Sequence, residues 1–181
     1  MIINHQEKLV KKAIKGNRAA FTKLIKMHEQ TLYRVSISIL RSDFDSADAV
    51  QTTIMNAYEN INKLKQPPYF KTWLTRILIN ECYQMLRNRK QVVPLPATEL
   101  ASSVDKEYGH IEVKEVVAML PDDLRLVIIL FYFEALKVKE IAEILEMPEG
   151  TVKTHLHRGR KQLYTFLTKE EVGEDEQKRT L

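Results

Sequence analysis

The stretch "GTVKTHLHRGRKQL", residues 150–163, decides the fold of this chain. Its apolar and small residues recur at steps of four, three and four, which is the period of one face of an α-helix: Val152, Leu156, Gly159 and Leu163. At about 100° per residue, a polar and mostly cationic set then points the other way: Thr154, His157, Arg158 and Lys161. The stretch therefore predicts a helix that packs by one face and presents positive charge on the other. On its own, this pattern fits a solvated surface helix as well as a binding helix.

The residues before this helix favour a binding role. The segment "VKEIAEILEM", residues 138–147, has its own apolar face, and "MPEG" then predicts a tight turn. A short helix, a turn and a second helix with a basic outer face predict a helix-turn-helix. In that motif the second helix enters the DNA major groove, and its first residues reach base edges. Gly150 permits close backbone approach, and the free N–H groups of the first turn suit a phosphate.

Composition limits the class of protein. The chain has 181 residues and one cysteine, so an internal disulfide is excluded and a cysteine metal site is not expected. The most apolar run, "LRLVIILFYF" at 124–133, is shorter than the ~20 residues of a membrane span. We therefore expect a soluble, cytoplasmic protein. Residues 1–92 carry 16 Lys and Arg against 7 Asp and Glu, and this excess favours a polyanion such as nucleic acid as partner.

Helical patterns and few glycines predict an all-α fold of two small helical domains. The first domain, residues 1–92, has a helix stopped by Gly16, a long helix capped by Asn17, and a third helix capped by Asp43 or Asp45. Two prolines at 67–68 then separate the third helix from a fourth.

A change in composition marks the boundary between the domains. Residues 93–112 contain prolines, small residues and an acidic balance, which predict a flexible linker long enough to let the two domains sit apart. The second domain, residues 113–181, is predicted to contain a helix that is capped by Asp122 and ends near Glu134. The helix-turn-helix follows, and after it comes a polar tail that is expected to fray.

Three other classes of protein fit the sequence less well. A response-regulator activator shares the helix-turn-helix pattern but needs an acidic α/β receiver, whereas residues 1–92 are helical and basic. An enzyme or metal site finds little support, because His155 and His157 lie about 200° apart around a helix and cannot chelate one ion. A purely structural helical protein does not need a basic helix that fits a DNA groove.

Two stretches resemble the extracytoplasmic-function (ECF) sigma factors of bacterial RNA polymerase. Residues 120–163, "LPDDLRLVIILFYFEALKVKEIAEILEMPEGTVKTHLHRGRKQL", resemble the domain that binds the promoter −35 element. "DSADAVQTTIMNAYENI" at 45–61, followed by "FKTWLTRILIN" at 70–80, resembles the domain that binds the −10 element and core polymerase. The chain departs from the pattern in places. Ala47 and Thr52 stand at positions that are usually acidic, Ala135 replaces a turn glycine, and Lys137 replaces a capping Ser or Thr.

The resemblance implies a sigma factor, which binds core RNA polymerase, directs it to specific promoters and aids −10 melting. It is not an enzyme and needs no cofactor. The implied −35 residues are Gly150, Thr151, Lys153, Thr154, His157, Arg158, Arg160 and Lys161. The implied −10 residues are Lys63, Leu64, Lys65, Arg76 and Asn80, and those for core polymerase are Asp45, Asp48, Gln51 and Asn56.

The partners that the resemblance implies are promoter DNA and core RNA polymerase, at the clamp of its largest subunit and at its flap. A further implied partner is an anti-sigma factor, membrane-anchored by analogy with the family, which occludes both domains until a stress removes it. The chain itself is not expected to insert into a membrane.

Overall fold

The computed structural model describes residues 2–92 and 113–178, together with the side chains of residues 5–89 and 113–168. The linker predicted at 93–112 lies outside the described residues. The described residues form helices and contain no strand, so the all-α prediction is confirmed.

The first domain is built from four helices. They are α1 (Ile2–Ile14), α2 (Arg18–Leu40), α3 (Asp43–Asn60) and α4 (Phe70–Val92). Two short 3₁₀ turns, Ile61–Lys63 and Pro67–Tyr69, join α3 to α4, where the two prolines prevent the helix from continuing. Helices α2, α3 and α4 pack against one another, and α1 packs on α2.

The helix ends test the predicted caps. Gly16 has φ +87° and ends α1 as predicted, and the Asn17 side chain accepts from the Ala20 N–H at 2.8 Å, so that cap is confirmed. The prediction that Asp43 or Asp45 caps α3 is wrong. Ser42 has the extended backbone that an N-cap needs, and its hydroxyl accepts from the Asp45 N–H. The two aspartates lie instead within the first turn, where the helix dipole favours negative charge.

The second domain contains α5 (Val113–Ala118), α6 (Asp122–Ile128), α7 (Val138–Leu145) and α8 (Glu149–Lys178). Helix α6 continues as one π-helical turn, Ile129–Phe133, and ends at Glu134 as predicted. Asp122 does not cap α6, because Pro121 holds the capping position and Asp122 instead accepts from Arg125 at 2.6 Å. The tail expected to fray is helical as far as Lys178, in keeping with the helix propensity of its Glu, Gln and Lys residues.

The two domains pack against each other. Helix α6 lies on α2, and α7 lies on α4. The buried apolar side chains form a continuous cluster from Val10 in α1 to Leu156 in α8. The linker length permits separated domains, whereas the described residues show the two joined by a buried interface. Polar side chains within that interface, described below, determine which residues of the two domains face each other.

Candidate nucleic-acid interface

The helix-turn-helix is formed by α7 and α8. The Lys137 N–H at the start of α7 donates to Glu140 Oε2 at 2.9 Å, which is the half of a capping box that a lysine allows. At the other end Glu146 takes a left-handed backbone with φ 52°, and the Met147 N–H donates to the Ala142 carbonyl at 3.1 Å. The chain thus reverses within a few residues and starts α8 at Glu149.

Helix α8 is held on its domain by the predicted apolar stripe. Val152 is fully buried and Leu156 is 5% exposed. Gly159 faces α6 so closely that an added Cβ would lie 2.8 Å from Ile128 Cγ1. These contacts fix the rotation of α8 about its axis, and therefore fix which residues face outward.

The outward face of α8 carries the predicted −35 residues. All are exposed except Thr151, which is half-buried: Gly150, Lys153, Thr154, His157, Arg158, Arg160 and Lys161. The Arg160 guanidinium donates back to the Leu156 carbonyl at 3.2 Å, and the Thr154 hydroxyl donates to the Gly150 carbonyl at 2.9 Å. Among the described side chains, none forms an ion pair with Lys153, Arg158 or Lys161. The structure therefore brings the predicted set together on one exposed surface, whose Lys153, Arg158 and Lys161 have no carboxylate partner among the described side chains.

The two histidines of α8 point in different directions, as the spacing predicted. His157 is exposed, whereas the His155 ring turns toward α6, with Nε2 3.9 Å from Asp123 Oδ2 and Nδ1 buried without a hydrogen-bond partner. Among the described residues, no group of three or more His, Cys, Asp or Glu side chains could hold a metal ion.

The loop predicted for the −10 element lies between α3 and α4. The side chains of Lys63 and Lys65 are exposed, and the Lys63 ammonium donates to Asn60 Oδ1 at 2.6 Å. Leu64 is only 9% exposed, so its side chain anchors the loop in the core rather than facing a ligand. The loop thus presents one lysine on each side of the buried Leu64 side chain.

The other predicted −10 residues lie on α4. Asn80 is exposed, whereas Arg76 forms an ion pair with Glu146 of the helix-turn-helix, with Nη2 and Oε1 2.6 Å apart. Both partners of this pair are substantially exposed, and such pairs contribute about 0–1 kcal/mol. The pair nevertheless shows that α7 and its C-cap lie beside the face of α4 predicted to bind DNA.

The predicted polymerase-binding residues divide into two groups. Asp48 and Gln51 are exposed and lie three residues apart on α3, so they share a face. Asp45 is buried and forms an ion pair with Arg89 of α4, and the Asn56 amide donates to Glu81 Oε1 of α4 at 2.7 Å. Asp45 and Asn56 therefore join α3 to α4, while Asp48 and Gln51 face outward.

Sequence reasoning missed a buried polar cluster where the two domains meet. The Glu134 carboxylate, 1% exposed, accepts from Thr31 at 2.6 Å, Arg34 at 2.5 Å and Lys71 at 2.9 Å. Arg125, 3% exposed, donates to the Ser38 carbonyl of α2 at 2.7 and 3.0 Å. The sequence did contain one signal for this cluster, because Arg125 and Glu134 are charged residues in an otherwise apolar stretch. A charged side chain that is buried with such a stretch is normally paired with a partner.

Two pKa shifts accompany this cluster. Burial alone would raise the pKa of Glu134, but hydrogen bonds from Thr31 and Lys71, with the charge of Lys71, outweigh it and lower the pKa below its usual range. Burial, reinforced by the nearby Lys71 ammonium, lowers the pKa of His28 to about 4. At neutral pH the cluster therefore combines an ionised carboxylate with an adjacent neutral imidazole.

A groove of about 1230 Å³ opens beside the cluster. Its walls come from α2 and α3 on one side and from α5 and the end of α6 on the other, and include Tyr33, Ile37, Val50, Val117 and Phe133. Elsewhere, no helix within the described residues is both long and apolar enough to span a bilayer.

Two family profiles match the two domains. Sigma-70 region 2 matches residues 24–92, and Sigma-70 region 4 matches residues 110–163, in the order that the sequence motifs indicated. The second match includes α7, the turn and the first half of α8, as far as residue 163.

Curated relatives and solved structures agree with these matches. The chain is 31% identical to RNA polymerase sigma factor SigV of Bacillus subtilis, over 86% of this chain and 96% of SigV. It is 30% identical to the ECF sigma factor SigW of the same organism, over 87% and 94% of the two chains. The sigma factor RpoE of Bartonella quintana, solved with the anti-sigma factor NepR, matches with a TM-score of 0.67 and 25% identity, over 82% of this chain and 96% of that one.

Sigma factors are initiation factors without enzymatic activity, which leave the chemistry to the polymerase. The paired domains, the helix-turn-helix and the similarity to SigV and SigW over most of their length agree on one family. The chain belongs to the ECF sigma factors of bacterial RNA polymerase, which bind core polymerase and direct transcription initiation at specific promoters.

Proposed function

We propose that the exposed face of α8 reads the promoter −35 element. The observation that carries this proposal is the set of exposed cations on α8, which form no ion pair with any described side chain, while the opposite face of the helix is buried. Arg158 lies near the centre of this face, with a guanidinium fork that suits a guanine edge, and Thr154 and His157 are its neighbours in the groove. Lys153, Arg160 and Lys161 suit phosphates. The exposed Gly150 brings its backbone N–H to the DNA, whereas the Thr151 N–H already donates to the Pro148 carbonyl at 2.9 Å and is not free as expected.

In this proposal the first domain binds the −10 element. Lys63 and Lys65 supply charge for a single-stranded backbone, while Asn80 and Arg76 supply hydrogen bonds for an unstacked base. The buried Leu64 supports this role by fixing the loop between the two lysines. Its contribution is then positional, or through its backbone, rather than a side-chain contact with DNA.

Core polymerase binds the outer face of α3 in this proposal. Asp48 and Gln51 supply polar contacts for a basic clamp helix of the largest subunit, and the second domain meets the flap. Asp45 and Asn56 act indirectly, because their contacts to Arg89 and Glu81 set the angle between α3 and α4.

An anti-sigma factor completes the set of partners. RpoE of Bartonella quintana is solved in complex with the anti-sigma factor NepR. The groove between α2, α3 and α5 offers apolar walls for a helix of such a partner in this chain. We place the chain in the cytoplasm, where the polymerase acts, whether or not the anti-sigma factor is anchored in a membrane.

Promoter selection tests the −35 proposal. Core polymerase reconstituted with this chain is incubated with a duplex library randomised at −35 and −10, and transcribed templates are sequenced. Holoenzyme containing Arg158→Ala should select templates with relaxed preference at one −35 base pair and unchanged preference at −10. The same −35 preference in holoenzymes with the parent chain and with Arg158→Ala would contradict the assignment of Arg158.

A further inference from the structure

Helix α1 presents only one sign of charge at its exposed positions. Every exposed residue from position 5 to position 15 is a histidine or a lysine: His5, Lys8, Lys11, Lys12 and Lys15. Val10 and Ala13 are buried on the opposite side, where α1 packs on α2. Helix α1 lies before residue 24, where the match to Sigma-70 region 2 begins, so its role rests on its own residues. We call the four lysines the α1 cationic face.

The lysines of this face repel one another. Lys8 and Lys12 are four residues apart, a spacing that makes them neighbours on the helix surface. The same spacing separates Lys11 from Lys15, which lies directly after the helix. Like charges at this spacing destabilise a helix, and no carboxylate among the described side chains forms an ion pair with any of the four. A block of like charge without partners in its own chain is typical of a surface that binds a polyanion.

The α1 cationic face belongs to a helix that borders the loop proposed to bind the −10 element. Helix α1 contacts both 3₁₀ turns of that loop, Ile61–Lys63 and Pro67–Tyr69. The Gln6 amide nitrogen lies 3.1 Å from the His28 Nε2, and the His28 ring lies 5.6 Å from the ring of Phe70, the first residue of α4. Because these contacts hold α1 where the loop meets α4, a strand bound at the loop has α1 as an adjacent cationic surface.

The shape and chemistry of this face suit a phosphate backbone. A cleft of about 280 Å³ lies on α1, and its walls are His5, Lys8, Leu9, Lys11 and Lys12. Lysines three or four residues apart have Cβ atoms about 5–6 Å apart, and each ammonium lies on a flexible four-carbon stem that can follow successive phosphates. Phosphate contacts carry no base information, so this surface should add affinity without sequence preference.

We propose that the α1 cationic face binds phosphates of the non-template strand directly beside the −10 element. The proposal rests on the −10 assignment made above for the loop and α4. The partner is a single strand rather than a duplex, because α1 borders a loop assigned to melted DNA and a basic groove that tracks a backbone is the usual means of holding such a strand. The contact lengthens the bound segment of the strand and stabilises it whatever its bases are.

Extended oligonucleotides test this contact in holoenzyme formed with the full-length chain. The probes are labelled non-template strands of a promoter selected by the holoenzyme. One short probe contains only the −10 element, and two others extend it by about eight nucleotides on the 5′ or the 3′ side, within the usual site sizes for single strands. One of the two extensions should raise the affinity of the parent holoenzyme by about tenfold. The gain should persist when the bases of the extension are changed, because lysines contact only phosphates.

Charge removal on α1 supplies the decisive comparison. Lys8→Gln with Lys12→Gln relieves a repulsion, so helicity should be retained while most of the gain from the extension is lost. The slope of log affinity against log salt for the extended probe should fall by about 1.4 units, at about 0.7 for each phosphate. Lys8→Arg with Lys12→Arg keeps both charges and should keep the gain. Lys137→Gln with Lys139→Gln is the matched control, because these lysines are exposed in the second domain and the probes contain no −35 element.

The outcomes separate the role of α1 from the −10 assignment. No gain from either extension in the parent, or an equal gain in the parent and in Lys8→Gln with Lys12→Gln, would overturn the proposal. An equal loss for short and extended probes would also overturn it, because the lysines would then act at the −10 element itself or through the fold.

Two further measurements cover the other partners. Weaker binding of the glutamine variant to core polymerase, with the gain from the extension intact, would overturn the proposal and assign the α1 cationic face to an acidic surface of polymerase. The −10 assignment is checked separately with Asn80→Ala and the short probe. Unchanged binding of the short probe would reject that assignment, while the result for the extension would stand.

Discussion

Ile128 of α6 and Gly159 of α8 are in such close contact that the glycine has no room for a side chain. A Cβ at position 159 would lie 2.8 Å from Ile128 Cγ1 and 3.1 Å from its Cδ1, and Ile128 is itself 1% exposed. The close approach brings α8 onto the core of its domain. The position of the outward cationic face therefore depends on the absence of a methyl group at residue 159.

Gly159→Ala should destabilise the second domain. Alanine gains about 1 kcal/mol of helix propensity, but forcing a methyl group against a buried β-branched side chain costs about 1–3 kcal/mol. We expect a net loss of about 1 kcal/mol in denaturant unfolding, together with weaker −35 duplex binding. Gly150→Ala is the control for stability, because a Cβ there meets nothing within 4 Å, and it should be neutral or stabilising. A stabilised Gly159→Ala variant would show that α6 and α8 can move apart at little cost.

Local patterns predicted the elements of the fold, because their causes are local. The stripe through Val152 and Leu156 indicated the helix and its buried face, and Asn17 was correctly identified as a cap. The predicted caps of α3, Asp43 or Asp45, lie one or three residues after the observed cap, Ser42. All three are good capping residues and lie close together in the sequence. Choosing among them needs the backbone angles, which composition does not contain.

The joining of the domains could not be predicted from any local pattern. Glu134 and its partners Thr31 and Lys71 are 103 and 63 residues apart along the chain. No periodicity connects residues at such separations, and single-residue chemistry shows only that a charge in an apolar run needs a partner. The exposed candidates Asp48 and Arg158 were easier to identify, because exposure follows from helix periodicity alone.

Ala135 provides a test of backbone strain. It has φ 52°, in the left-handed region that costs an L-residue about 1–2 kcal/mol, and it follows directly after Glu134. Ala135→Gly relieves this strain but adds about 0.4–1 kcal/mol of unfolded-state entropy, so we expect a gain in stability of about 0.5–1 kcal/mol. Ala47→Gly, within α3, should instead lose about 0.5–1 kcal/mol. Thermal unfolding of both variants measures the contrast, and equal losses would contradict the strain at 135.

His28 should make the stability of the first domain depend on pH. Its ring lies beside Phe70, its Nε2 is 3.1 Å from the Gln6 amide, and Lys71 and Glu134 are its charged neighbours. Burial, with the charge of Lys71, lowers the pKa from 6.5 to about 4 in the folded state. The unfolded chain therefore binds the additional proton first, so stability is lost as pH falls from about 6.5 to 4, by roughly 3 kcal/mol at most.

Urea unfolding between pH 7 and pH 4 measures this loss of stability. In the His28→Gln variant, stability should change less with pH at pH values above the range where carboxylates titrate. The comparison uses the slope with pH, so it holds even if the variant is less stable throughout. Glu134 adds its own loss at lower pH, because its pKa is lowered by the same cluster. An equal slope between pH 6.5 and 5 in both chains would mean that His28 titrates normally in the folded state.

Polymerase binding should depend on the outer face of α3. Asp48→Arg with Gln51→Ala reverses a charge and removes an amide at two exposed positions, so helicity should be unchanged while affinity for core polymerase falls by tenfold or more. Glu59→Arg is the matched control, since Glu59 is exposed on the same helix and should leave affinity within about twofold. Core binding is measured by titration with labelled chain. Equal affinities for the double variant and the parent would place the polymerase contact elsewhere.

The two kinds of cation on α8 should differ in their response to sequence and salt. In the proposed arrangement Arg158 pairs bidentately with a base, so Arg158→Ala should cost about 1–3 kcal/mol on the preferred −35 sequence and relax preference at one base pair. Lys161 is proposed to contact a phosphate, so Lys161→Ala should weaken all sequences alike and reduce the slope of log affinity against log salt by about one unit. Binding of each variant to a −35 duplex library at two salt concentrations separates the effects. Arg158 is not a base reader if its variant loses the same affinity for every sequence, because a group that touches only phosphate cannot distinguish base pairs.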